Sequence, residues 1–330
     1  MHPGPAPSRR TLLGGAAALV ASSGIAAAQA PMVTPQTLNA LTARANAGTV
    51  GVISGGVDGT YIRIASDLAS VLDDGDSLRI VAMIGKGSLQ NLADIMLLRG
   101  VDIGIVQSDA LAYARRQRLL PGLDRLVQYI AKLYDEEVHV LARADIASLS
   151  DLGGKPVNVD VRGSGTAMTA ALIFDSLGIA PDIRNDTQDV ALDRLRRGEI
   201  AALVFVAGKP ARLFSSIPAG SGLKFLPFEM TPALLETYLP ARIGSADYPA
   251  LVPEGGAVDT IAVGAVMAVY GWAPGVERHR KVANFVERFF ARFDEFLRPP
   301  RHPKWREVNL AAQVPGWTRF DVAAAQLQGR

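Results

Sequence analysis

The sequence predicts an α/β protein of two lobes joined by a hinge, with a ligand cleft between them. Three observations predict it. The chain has 330 residues, enough for two domains of about 150 each. Three stretches share one shape, an apolar strand, a Gly/Ser turn and then a helix. They are Val50–Ser54 into Gly55-Gly56-Val57-Asp58-Gly59-Thr60-Tyr61, Val157–Val161 into Gly163-Ser164-Gly165-Thr166, and Leu203–Val206 into Ala207-Gly208-Lys209-Pro210. Strands also alternate with helical periodicity on both sides of an extended segment, Val138–Asp145, as in a parallel-type sheet covered on both faces.

The first element is a leader. Ser8-Arg9-Arg10-Thr11-Leu12-Leu13 is a twin-arginine pattern, followed by a weakly apolar, Ala- and Gly-rich stretch. Cleavage after Ala28, with Ala26 at −3, avoids placing Pro31 first in the mature chain. The expected compartment is the periplasm. Losing residues 1–28 removes Arg9 and Arg10 and no acid, leaving 32 basic against 32 acidic residues. That balance excludes the basic excess of a nucleic-acid binder.

Residues 29–142 read as the first part of lobe 1, after a lead-in over residues 29–48 that contains one helix. Strands are expected at Thr49–Ser54, Leu78–Ile84, Ile103–Gln107, Val127–Leu133 and Val138–Ala142. Helices are expected at Thr60–Asp73, where Ile64, Leu68, Val71 and Leu72 keep helical spacing, and at Leu89–Leu98 and Ala110–Arg118. Residues 143–228 read as lobe 2, with strands Val157–Val161, Ala201–Val206 and Lys224–Pro227. Its helices are Ala167–Leu177, Val190–Arg197 and Ala211–Ser216. Residues 229–330 are expected to return to lobe 1, crossing back between Leu226 and Thr260. They comprise a loose Pro/Gly-rich stretch (Pro240–Gly256), an apolar strand (Thr260–Val269), a long amphipathic helix (Val276–Arg292) and a Pro-, Arg- and Trp-rich tail. In that tail Trp305 and Trp317 are expected to pack on a lobe.

Each Gly/Ser turn places free backbone N–H groups at a helix start, an arrangement that attracts anions. The turns are not nucleotide loops. Gly85-Lys86-Gly87-Ser88 lacks the hydroxyl that Walker A places after its Lys, and Gly55-Gly56-Val57-Asp58-Gly59 has the wrong dinucleotide spacing. With no Cys there is no disulfide, thiolate metal site or Cys nucleophile. His139, His279 and His302 have no partner at metal-ligand spacing, and no metalloprotease or Ser-hydrolase motif is present. No cofactor, metal or catalytic residue is assigned, and the protein is expected not to be an enzyme.

Taken in order, several motifs resemble the TAXI family of solute-binding proteins, which serve TRAP (tripartite ATP-independent periplasmic) transporters. They are Gly55-Gly56-x-x-Gly59-Thr60-Tyr61, Gly87-Ser88-Leu89-Gln90-Asn91-Leu92, Asp102–Asp109, Val138–Asp145, Gly163-Ser164-Gly165-Thr166 and Phe205-Val206-Ala207-Gly208-x-Pro210. Together they span about residues 49–270. The resemblance implies a type II periplasmic-binding-protein-like fold that closes on a small organic anion, such as a carboxylate, dicarboxylate or acidic amino acid, and delivers it to membrane permease subunits. It implies ligand contacts at Gly56, Thr60, Tyr61, Ser88, Asn91, Gln107, Ser108, Ser164, Gly165, Thr166 and Gly208. Ile62 replaces a second aromatic, Lys86 a small residue, and Arg162 a Pro. Lys86, Arg162 and Lys209, with Asp109, are therefore candidate charge partners, either on the rim or facing an extra charge on the ligand. A sensor subunit of a membrane receptor, or an enzyme on the same scaffold, stays open as an alternative.

Overall fold

The computed structural model describes residues 34–329. The expected leader and its cleavage site lie outside the described residues. The chain divides into two compact units at Thr42/Ala43. In the first, the described residues 34–42 form most of helix α1 (Pro35–Ala47).

The second unit begins with β1 (Thr49–Ile53), α2 (Thr60–Leu72), β2 (Arg79–Met83), α3 (Ser88–Leu97), β3 (Ile103–Gln107), α4 (Ala110–Arg116) and the short α5 (Leu123–Leu126). Helix α2 buries Ile64, Leu68, Val71 and Leu72 on one face, as their spacing predicts. A single long strand, β4 (Val127–Arg143), follows. Then come β5 (Pro156–Asn158), α6 (Gly165–Leu177), β6 (Asp182–Arg184), α7 (Gln188–Arg196), β7 (Ala202–Ala207), α8 (Arg212–Ser215), β8 (Leu223–Phe225), α9 (Pro232–Leu235) and β9 (Leu239–Gly244). The last elements are β10 (Ala257–Tyr270), α10 (Glu277–Ala291) and α11 (Asp321–Gln328). Ser164 caps α6 by accepting from the Ala167 N–H at 3.1 Å, and Gly178 ends that helix at φ 65°.

The strands run in the order β2-β1-β3-β10-β4-β7-β5-β6, with β8 on β4 and β9 on β10. β1 pairs parallel with β2 and β3, and β5 pairs parallel with β6 and β7. Between these two parallel sets lies the antiparallel pair β4/β10, which belongs to both lobes. Side chains show the crossing directly. On β10, Ile261 and Val263 pack in lobe 2 with Val138, Val157 and Phe174. Two residues further on, Ala265, Met267 and Val269 pack in lobe 1 with Ile64, Phe285 and Phe289. The neighbours Val266 and Ala268 face the opposite layer of lobe 1, with Leu92 and Ile95. Lobe 2 has its own second layer around Leu203, Phe214 and Tyr248.

Three expectations differ from the structure. Val127–Leu133 and Val138–Ala142 are one strand, not two. Acids interrupt the apolar run there, but β10 continues the ladder across them, pairing Gly264 with Asp135, Val263 with Glu136 and Ala262 with Glu137. Pro240–Gly256 is not wholly loose, because β9 includes Pro240. β9 hydrogen-bonds only to β10, and an edge strand tolerates a missing N–H. The return to lobe 1 falls inside β10, near Gly264, rather than between Leu226 and Thr260, because one continuous strand serves both cores. The register of β4/β10 shifts between Gly264 and Val266 at this crossing.

The tail packs as its tryptophans suggest. Trp305 is buried in lobe 1 beside Phe289 and Phe296, and its Nε1 donates to Asp67 Oδ2 at 2.8 Å. Trp317 lies in the opposite layer of lobe 1 and donates to the Ser108 carbonyl at 3.1 Å.

Candidate functional site

The starts of three helices, α2, α3 and α6, meet at one cavity between the lobes. Gly59, Thr60 and Tyr61 line it from α2, Gly87 and Ser88 from α3, and Ser164, Gly165 and Thr166 from α6. Each helix is at least ten residues long, so each brings first-turn N–H groups that have no partner within the helix and the positive end of a full dipole. Gly56, Lys86 and Gln107 complete the set of sequence-predicted residues on the wall. The inner chamber holds about 40 Å³. That is room for about three water-sized groups. It shares Gly56, Gly59, Lys86, Asp160 and Phe205 with a neighbouring cavity of about 400 Å³, walled also by Val57 and Val161.

The lobes meet at this chamber. Gly165 of lobe 2 sits where any Cβ would lie 2.1 Å from Gln107 Oε1 and 2.6 Å from Ser88 Oγ. The Ser88 hydroxyl donates to Gln107 Oε1 at 2.9 Å and accepts from the Gln107 N–H at 3.0 Å, locking that surface in place. Thr60 Oγ1 donates to the Gly208 carbonyl at 3.0 Å, and the Gln90 N–H to the Gly163 carbonyl at 3.3 Å, both from one lobe to the other. Thr60, Ser164 and Thr166 are three of the expected ligand contacts. Here Thr60 bridges the lobes, Ser164 caps α6, and Thr166 Oγ1 accepts from the Val206 N–H at 3.1 Å.

The remaining predicted residues support the chamber without lining it. Asn91 is buried behind it, donating to the carbonyls of Ser54 and Ile105, both at 2.8 Å. The Ser108 N–H donates to the Gly264 carbonyl at 2.7 Å, beneath the crossing. Gly208 lets the β7 turn approach lobe 1, since a Cβ there would lie 3.0 Å from Tyr134 and 3.1 Å from Lys304. Asp109 is buried between the lobes, accepting from Thr169 Oγ1 at 3.2 Å and Tyr238 Oη at 3.4 Å. Burial pushes its carboxyl up to about 7. Arg162 is exposed in a separate hollow beside Leu89 and Asn185. Lys209 pairs with Asp247 at 3.2 Å, and its N–H donates to Glu137 Oε2 at 3.0 Å.

Sequence reasoning missed two acids on the wall, Glu136 and Asp160. Glu136 sits on β4 at the crossing, 2 % exposed, and accepts from Tyr61 Oη at 2.5 Å. Burial raises its carboxyl well above the usual range, and the nearby Glu137 and Asp109 add to this. Its signal in the sequence was a run of three acids, Asp135, Glu136 and Glu137, interrupting an apolar strand. Asp160 follows β5 at φ 70°, a left-handed conformation uncommon outside Gly, Asn and Asp. Burial pushes its carboxyl up to about 6. His139 is fully buried. Among the described residues no His, Asp or Glu cluster is arranged to hold a metal ion. No described helix is long and apolar enough to cross a membrane.

The sequence model of the NMT1-like family matches residues 52–274. Among solved structures, the chain is similar to the periplasmic binding protein BugD, at 12 % identity and a TM-score of 0.49, over 85 % of this chain and 93 % of that one. It is similar to XAC2383 from Xanthomonas citri, solved bound to ATP, at 12 % identity and a TM-score of 0.46, over 85 % and 94 %. It is also similar to the arginine-bound form of truncated ArgBP from T. maritima, at 13 % identity and a TM-score of 0.44, over 73 % and 95 %.

Proposed function

The chain belongs to the NMT1-like family, and from that premise we propose that it is a periplasmic solute-binding protein for a small organic anion. The observation that carries this reading is the convergence of three helix N-termini on one chamber. Their N–H groups and dipoles suit a carboxylate without a dedicated Arg. Lys86, on the wall of this chamber and of the neighbouring cavity, adds a cation. Arg162 and Lys209, placed elsewhere, leave Lys86 as the candidate partner for a second ligand charge.

Capture works by hinge closure about β4 and β10. An open state admits the ligand. Closure then brings Gly165 onto Gln107 and joins Thr60 to Gly208, and a ligand touching both lobes favours that state. The sequence motifs similar to those of the TAXI family support delivery to the permease of a TRAP-type transporter, and the twin-arginine leader supports export.

A thermal-shift panel of acetate, benzoate, succinate, L-glutamate and L-leucine tests the reading, with glucose and putrescine as controls. A ligand at a hundredfold excess over Kd stabilises the folded state by about 2.7 kcal/mol. Stabilisation by at least one carboxylate and by neither control is expected. Stabilisation by glucose or putrescine alone removes the anion reading.

A further inference from the structure

The inner chamber contains a carboxyl group of its own, and this has a consequence for any acid that enters. Glu136 is 2 % exposed and lines the chamber. Among the described residues its side chain makes one hydrogen bond, from Tyr61 Oη to Oε2. A chamber of about 40 Å³ has room for little beyond one carboxylate head, so a head seated there touches Glu136. Two carboxylates in contact in a dry site do not both ionise. On the reading that the ligand is a carboxylate, we infer that it is bound together with one proton, shared between its own carboxylate and Glu136. Glu136 then acts as a hydrogen-bond donor, and uptake of the anion is linked to pH.

The surroundings of Glu136 favour the neutral form. Burial is the largest cause, and Glu137 and Asp109 repel a charge on it; together they outweigh the Tyr61 hydrogen bond and Lys304, which favour the ionised form. Lys304 of the tail, a cation that acts on Glu136, is engaged by Glu137 Oε1 at 2.7 Å and Glu307 Oε2 at 2.9 Å. Asp160 and Lys86 share the cavity wall. Below the pKa of Glu136 in the free protein, its proton is already present and affinity is flat. Above it, each ligand bound takes one proton from solvent, and affinity falls up to tenfold per pH unit.

The test is calorimetry of the full chain with acetate, benzoate, succinate and L-glutamate from pH 5 to pH 10, in two buffers of different ionisation enthalpy. The expected result is an affinity that falls at high pH with uptake of about one proton. Glu136→Gln should still bind but lose that slope, whereas Glu136→Leu should lose at least about tenfold in affinity at pH 6. Asp160→Asn and Asp109→Asn, which remove two further buried acids at and near the chamber, should keep it. Binding that is flat across the range, that strengthens with pH, or whose slope survives in Glu136→Gln overturns the shared proton while leaving the carboxylate reading intact. Failure of all four acids to bind at any pH overturns both. The wild-type profile decides the matter even if a variant does not fold.

Discussion

Gly165 and Gln107 come from different lobes, and a Cβ on the glycine would lie 2.1 Å from the Gln107 side-chain oxygen. The contact needs no positive φ at Gly165, which begins α6. The glycine is required by space alone, at a point where the two lobes touch.

Gly165→Ala should therefore bind ligand more weakly while the separate lobes still fold. Overpacking at a tight contact costs about 1–3 kcal/mol. Charged to closure, that is roughly a 5- to 150-fold loss of affinity. Calorimetry on a carboxylate from the panel checks it, and an unchanged Kd would show that closure does not bring these two residues together.

Lys304→Met should be strongly destabilising. The lysine side chain is 1 % exposed and Glu137 6 %, with 2.7 Å between Nζ and Oε1. Removing one partner of a buried pair leaves an uncompensated charge and costs about 3–5 kcal/mol. The double variant Lys304→Met/Glu137→Gln should recover part of that. Urea melts of the two variants would contradict this account if the double variant were the less stable one by the full sum of both losses.

His139 should make the fold sensitive to mild acid. The Ala211 N–H donates to Tyr248 Oη at 2.7 Å, so the tyrosine hydroxyl donates in turn to His139 Nε2 at 2.9 Å. The ring proton then sits on Nδ1, 3.0 Å from the Glu137 carbonyl. Burial pushes the pKa down to about 4. Between about pH 6.5 and pH 4 the unfolded chain binds a proton at this site and the folded chain does not. Stability from this residue is complete above pH 6.5 and is lost as pH falls through that window, by about 3 kcal/mol in all. An NMR titration should show the ring neutral at pH 5.5, and a midpoint near 6.5 would contradict the assignment.

Trp305→Ala should lower stability by about 3–5 kcal/mol, the usual cost of truncating a buried aromatic. Trp305 is fully buried and its Nε1 donates to Asp67 of α2. A loss under 1 kcal/mol in urea would mean that the tail merely lies on lobe 1 rather than completing its core.

Local patterns in the chain already determined much of this protein. Strand–turn–helix units are written in short-range features: the spacing of Ile64, Leu68 and Leu72, the Ser164 cap, and the glycines that begin α2 and α3. These depend on neighbours within a few residues, so the α/β class and the helix starts at the chamber were legible. Tertiary structure decided the rest, because it depended on partners far away in the chain. β4 stays a strand through Asp135, Glu136 and Glu137 where β10 pairs with all three and β7 with Glu137. That pairing carries one strand through two cores and sets Glu136 on the chamber wall. It also set apart residues that looked alike in sequence: Lys86 on the wall, Lys209 paired with Asp247, and Arg162 in another hollow. A charged side chain near a glycine turn reads the same in either setting, and only the approach of the second lobe distinguishes a wall from a rim.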